Sequence, residues 1–143
     1  MIIETVSLFP KINSELEKLL NSMSFEDWNL KTKFPNWTVK DIVAHLLDTS
    51  IRKLSTEKYK YEPSINIKME SYDDLVVYIT NLADTWVNSY QRVSPEILVK
   101  MVITYQNELV NYLKTIDLFK KSKNSVAWAG EKESYNWFDI ARE

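Results

Sequence analysis

The scarcity of chain breakers constrains this sequence more than any other feature. Its 143 residues hold one glycine and four prolines. Tight hairpins need glycine or proline at fixed places, so a chain this poor in both favours long helices over many short strands. The apolar residues bear this out by recurring at helical spacing. Phe9, Ile12, Leu16, Leu19, Leu20 and Met23 form one stripe. Val39, Ile42, Val43, Leu46, Leu47, Ile51 and Leu54 form a second. Leu75, Val76, Ile79, Leu82, Ala83, Trp86, Val87 and Tyr90 form a third, the most regular of the set. A fourth runs from Ile97 and Leu98 through Met101, Val102, Tyr105, Leu109, Tyr112 and Leu113 to Ile116. At about 100° per residue each covers one face of a helix. The fold class expected is all-α, and the length fits one domain with a real core.

Helix boundaries are marked by capping residues. Ser24 with Asp27, Thr38 with Asp41 and Ser71 with Asp74 each place a hydroxyl three residues before an acid. In that pattern the hydroxyl takes a free backbone N–H while the acid reaches back to the cap. Ser94-Pro95-Glu96 opens the fourth stripe with a cap, a proline suited to the first helical position and an acid. The first helix is expected from near Thr5, with Pro10 either distorting its start or becoming that start. Phe25 and Trp28 are expected to close one end of the bundle, and Trp37 to pack beside the cap on Ile42 or Val43. Tyr105 and Tyr112 are expected in the core. Ser125 to Glu131, which holds the one glycine, reads as an extended segment or small hairpin. Asn136, with Asp139 three places on, opens a last helix that the sequence leaves after about two turns.

Composition excludes several chemistries. There is no cysteine, hence no disulfide, cysteine nucleophile or thiolate ligand from this chain. A formal charge of −2 and scattered lysines give no basic stripe for nucleic acid. No apolar run nears the roughly 20 residues that span a bilayer, and the first residues lack a signal peptide's basic start. A soluble, cytoplasmic protein is expected. There is no Gly-rich phosphate loop and no persuasive Ser-His-acid set. The chemistry-bearing residue that stands out is His45, the only histidine. It falls at the edge of the second helix's apolar face, with Asp41, Asp48 and Thr49 within one turn. Two readings remain open: a rim histidine bonded to a neighbouring acid, or a metal ligand whose other nitrogen is oriented by Asp41, Asp48 or Thr49.

Phe34-Pro35-Asn36-Trp37-Thr38-Val39-Lys40-Asp41-Ile42-Val43-Ala44-His45-Leu46-Leu47-Asp48 resembles the DinB/YfiT-like superfamily. More narrowly, it is similar to the metal-binding N-terminal domain of mycothiol-dependent maleylpyruvate isomerase. Three further passages agree in order: Ser71 to Leu75, Ser94 to Leu98, and Val126 to Glu131 followed by Asn136 to Glu143. The resemblance implies a four-helix bundle of up-down-down-up topology with a divalent metal, zinc or similar, between helices. It implies that His45, in the Ala-His-Leu motif, is the first metal ligand. The family's other ligands, a His pair or a Glu and a His one turn apart, lie on its last helix. Here that helix begins at Trp137 and those positions fall beyond Glu143, so residues 1–143 read as one metal-binding-type domain incomplete at its C-terminus. Asn36, where relatives often have Gly, and Tyr135, where they often have Pro, depart from the common pattern.

Two functions are expected from this. One is a metal-dependent transferase or isomerase using a low-molecular-weight bacterial thiol and a small electrophilic substrate, inactive as the chain stands. The other is a non-catalytic bundle that binds partners or self-associates, for instance as a homodimer, through an apolar groove left uncovered.

Overall fold

The computed structural model describes residues 3–64, 70–122 and 133–142. Among these the chain is an all-α bundle with no strands, only two isolated bridges, Lys31 to Thr38 and Lys121 to Tyr135. Its α-helices are α1 (Phe9–Ser22), α2 (Phe25–Trp28), α3 (Val39–Lys53), α4 (Tyr72–Ser89), α5 (Pro95–Leu113) and α6 (Asn136–Arg142). The hairpin expected at Ser125 to Glu131 lies outside the described residues.

The start of α1 answers the problem of Pro10. A short 3-10 turn, Val6–Leu8, leads into an α-helix that begins at Phe9. Pro10 therefore sits in the first α-helical turn, where its missing N–H leaves no bond unmade. The three hydroxyl–acid pairs form complete capping boxes: Ser24 with Asp27, Thr38 with Asp41, Ser71 with Asp74. Ser94 accepts from the Ile97 backbone N–H, with Pro95 first in α5. At its far end α3 loosens into a π turn, Leu54–Lys58. Asn136 is the first residue of α6 rather than its cap. Its side-chain amide donates to the Asp117 carbonyl at 2.7 Å, and Ser134 Oγ donates to Asp139 Oδ1 at 2.7 Å. These bonds tie a seven-residue helix too short to hold by itself.

The core falls into two clusters along α3 and α5, which pack chiefly on each other. The larger joins Leu20, Trp28, Val43, Ala44, Leu47, Val87, Leu98, Val99 and Val102 from α1 to α5. The smaller joins Val6, Leu54, Leu109, Leu113 and Ile140, so α6 docks against the end of α3 and α5. Tyr105 packs against both, and Tyr112 against the smaller, as their spacing predicts. Several expectations fail on burial, Ile97 at the head of the fourth stripe among them, which is 49% exposed. Ile12 and Leu19 of the first stripe are exposed, because α1 packs chiefly on α5 and buries a narrow edge. Phe25 is 75% exposed; Trp28 alone closes that end of the bundle. On α4 only Val87 is buried, although its period is the cleanest in the sequence. Tyr72, Val76, Val77 and Ile79 are exposed, since α4 touches α3 through its second half.

Candidate functional site: the His45 face of α3

His45 reaches its position through the turn before α3. Pro35 holds Phe34 out of a helix, and Asn36 takes a left-handed backbone with φ of 68°. Asparagine tolerates that region better than most side chains. The turn swings Trp37 back over α3, with the Trp37 N–H donating to the Phe34 carbonyl. Trp37 then lies tilted against the His45 ring, centroids 5.3 Å apart, and its indole Nε1 donates to Asp84 of α4 at 3.1 Å. Trp37 packs against the core cluster that holds Val43, one of its two expected partners, and also against the histidine, while its indole pins α3 to α4.

The neighbours proposed to orient His45 do other work. Asp41 Oδ2 accepts from both the Thr38 backbone N–H and Oγ1, and Oδ1 accepts from Gln91 Nε2 at 2.6 Å. A carboxylate in the first turn is drawn to the free N–H groups there, and both oxygens are engaged with partners other than the ring. Thr49 Oγ1 donates to the Leu46 carbonyl. Asp48 pairs through Oδ1 with Arg52 Nε at 2.9 Å. The rim histidine bonded to a neighbouring acid is therefore not what forms. His45 Nδ1 is buried with no hydrogen-bond partner, and so is Asp48 Oδ2. Burial holds the His45 pKa below the ordinary value of 6.5; the Asp48 charge opposes this and the Arg52 charge adds to it. At neutral pH the ring is uncharged and keeps a lone pair available to a cation.

Two tryptophans frame this face. Trp86 of α4 donates its indole N–H to the Ala44 carbonyl at 2.9 Å and stacks on Tyr90 at 5.1 Å. Burial raises the Tyr90 pKa, with Tyr105 and then the Asp48 charge adding to it. Between α3 and α4 opens a groove of about 590 Å³, with Asp48 and Arg52 on one wall and Val77, Leu82 and Trp86 on the other. Sequence reasoning treated Trp86 and Tyr90 as core and passed over Asp84 and Gln91. The indole N–H was the available signal, because a half-buried tryptophan needs an acceptor.

The metal expectation can be tested on the donors. Among the described residues no group of three or more His, Cys, Asp or Glu side chains lies together as a cation would require. His45 and Asp48 offer two donors one turn apart, short of the three that a catalytic zinc usually takes from protein. The described part of α6 joins the core through Ile140, in the cluster that holds Leu54 at the start of the π turn, nine residues beyond His45.

Residues 9–54 match the Mycothiol maleylpyruvate isomerase N-terminal domain family. The match runs from the first residue of α1 to the first of the π turn, and so contains the capped turn, Trp37 and His45. Over those residues it bears out the resemblance drawn from the Phe34–Asp48 passage, and the all-α bundle agrees with it. No curated protein and no solved structure matches the chain. No helix among the described residues is long and apolar enough to cross a membrane.

Proposed function

We propose that this chain belongs to the metal-dependent, thiol-using transferase and isomerase chemistry of that family, with His45 as its contribution to a divalent-cation site. The observation that carries the reading is the His45 ring itself: uncharged, half-buried, and with Nδ1 unpartnered beside the equally unpartnered Asp48 Oδ2. A polar nitrogen is seldom left buried and unpaired without a role. A bound divalent cation would hold a small-molecule thiol as thiolate and so raise its nucleophilic fraction at neutral pH. Two donors cannot by themselves make a catalytic zinc site, so no catalytic step is assigned to the described residues. What the chain does supply is a fixed imidazole. Trp37 locks its plane, Asp84 locks Trp37, and the Thr38–Asp41 box locks the helix start.

Paramagnetic Co²⁺ titration followed by NMR tests this without any activity measurement. Broadening is expected first at the His45 ring and the Trp37 indole, and it should vanish in His45→Ala. Broadening that persists in that variant, or that never includes His45, would overturn the reading.

One observation favours the second reading, a non-catalytic bundle that binds another protein or itself. It is the row of exposed Tyr72, Val76, Val77 and Ile79 on α4. Sedimentation velocity over a concentration series separates the two. A rising sedimentation coefficient supports self-association, and a constant monomer value excludes it.

A further inference from the structure

The groove between α3 and α4 combines features that an uncommitted surface lacks. Its volume, about 590 Å³, is within the range of small-molecule sites. Its apolar wall is preformed, because Trp86 is held by the Ala44 carbonyl on one side and by the Tyr90 ring on the other. A wall that need not be ordered on binding spares the ligand that entropy. Opposite stands Asp48, only 2% exposed, whose Oδ1 is taken by Arg52 while Oδ2 lacks any donor. Arg52 lines the groove, is half-exposed and uses Nε on Asp48, which leaves its outer N–H groups uncommitted to that carboxylate. A buried carboxylate oxygen without a donor is costly, and one incoming donor relieves it.

We propose that this groove binds a small carboxylic acid that carries a hydroxyl or amino donor on the neighbouring carbon and an apolar tail. The donor meets the Asp48 carboxylate, which borders the groove and has bonding capacity left. The carboxylate takes the free fork of Arg52, whose planar N–H pairs suit such a group. The tail lies along Val77, Leu82 and Trp86. Hydroxy acids and amino acids share this chemistry, and Asp74 at the groove's far end adds negative charge that favours the ammonium form. The proposal goes beyond the His45 reading and needs no cation.

NMR titrations in the presence of EDTA, with four probes, decide it. Phenyllactate and phenylalanine carry both groups; 3-phenylpropanoate lacks the donor and phenethylamine lacks the carboxylate. Shifts are expected at Val77, Leu82 and the Trp86 indole, with one or both complete probes binding at least about tenfold tighter than either partial one. Arg52→Ala, at an exposed position, should remove the preference for a carboxylate. Asp48→Asn should remove the preference for a donor, and if it does not fold the Arg52 variant still decides. Equal binding of all four probes, shifts located elsewhere, or no binding would overturn the proposal. Because EDTA is present, that failure would leave the cobalt result at His45 untouched, and the reverse also holds.

Discussion

Asp41 is the residue whose removal best tests how the His45 face is built. Its carboxylate serves two purposes at once. Oδ2 completes the cap of α3, accepting from the Thr38 N–H at 2.8 Å and Oγ1 at 2.9 Å. Oδ1 accepts from Gln91 Nε2, fifty residues away in the turn after α4. The first function is local and the second joins two helices. Losing an N-terminal cap costs about 1 kcal/mol. Losing a hydrogen bond to a charged group costs about 1.5 kcal/mol or more. Gln91 is itself exposed and can turn to water, which limits the second loss. Asp41→Ala should therefore destabilise the fold by about 2–3 kcal/mol, and shift the urea midpoint by about 1–2 M for a chain of this size.

The comparison that gives this number meaning is Asp27→Ala. Asp27 makes the same box with Ser24, with its oxygen accepting from the Ser24 N–H at 2.8 Å and Oγ at 2.9 Å, but it reaches no second helix. Its loss should be clearly the smaller. A double-mutant cycle of Asp41→Ala with Gln91→Ala should return a coupling energy of about 1 kcal/mol or more. If the two single Asp variants cost the same and the cycle returns no coupling, the α3–α4 link through Gln91 contributes nothing, and the claim that it positions this face fails.

Two further outcomes are expected. In metal-free buffer the fold should lose stability as pH falls from about 6.5 through the lowered folded-state pKa of His45, because the unfolded chain takes up its proton first. The loss levels off below that pKa, and denaturation curves at stepped pH should show it shrink in His45→Gln. Asn36→Ala should cost about 1 kcal/mol in thermal or urea unfolding, since alanine resists the left-handed backbone at φ of 68°, while Asn36→Gly should change stability by a few tenths at most.

Sequence and structure part company at identifiable residues. The caps were legible because a capping box is written within four residues, and Ser24, Thr38, Ser71 and Ser94 all act as their spacing predicts. Helix existence was legible for the same local reason. Burial was not. Period alone cannot say how much of a stripe another helix covers, which is why Val76 and Ile79 on α4 are exposed while Val99 and Val110 on α5, off the expected stripe, are buried. The partners of His45 were misjudged on similar grounds. Proximity along α3 pointed to Asp41, Asp48 and Thr49, yet each finds a nearer partner in its own turn or, for Asp41, in Gln91. The Trp37 contact depends on the left-handed turn at Asn36, which nothing in a periodicity count can express.

The polar groups of α3 sort themselves into two kinds, and the division is informative. Asp41, Thr49 and Ser50 are each satisfied within the helix or by its neighbour. His45 Nδ1 and Asp48 Oδ2 are not, and they lie three residues apart on the part of the helix flanked by Trp37 and Trp86. Both tryptophans spend their indole N–H groups in holding α3 and α4 together rather than in covering those two atoms. A packed core would gain by replacing both polar groups with aliphatic ones. Packing therefore gives no reason for a histidine and an aspartate here. Elsewhere in α3 the polar groups follow local bonding rules, and the two atoms that depart from them are the ones the proposed cation site would use.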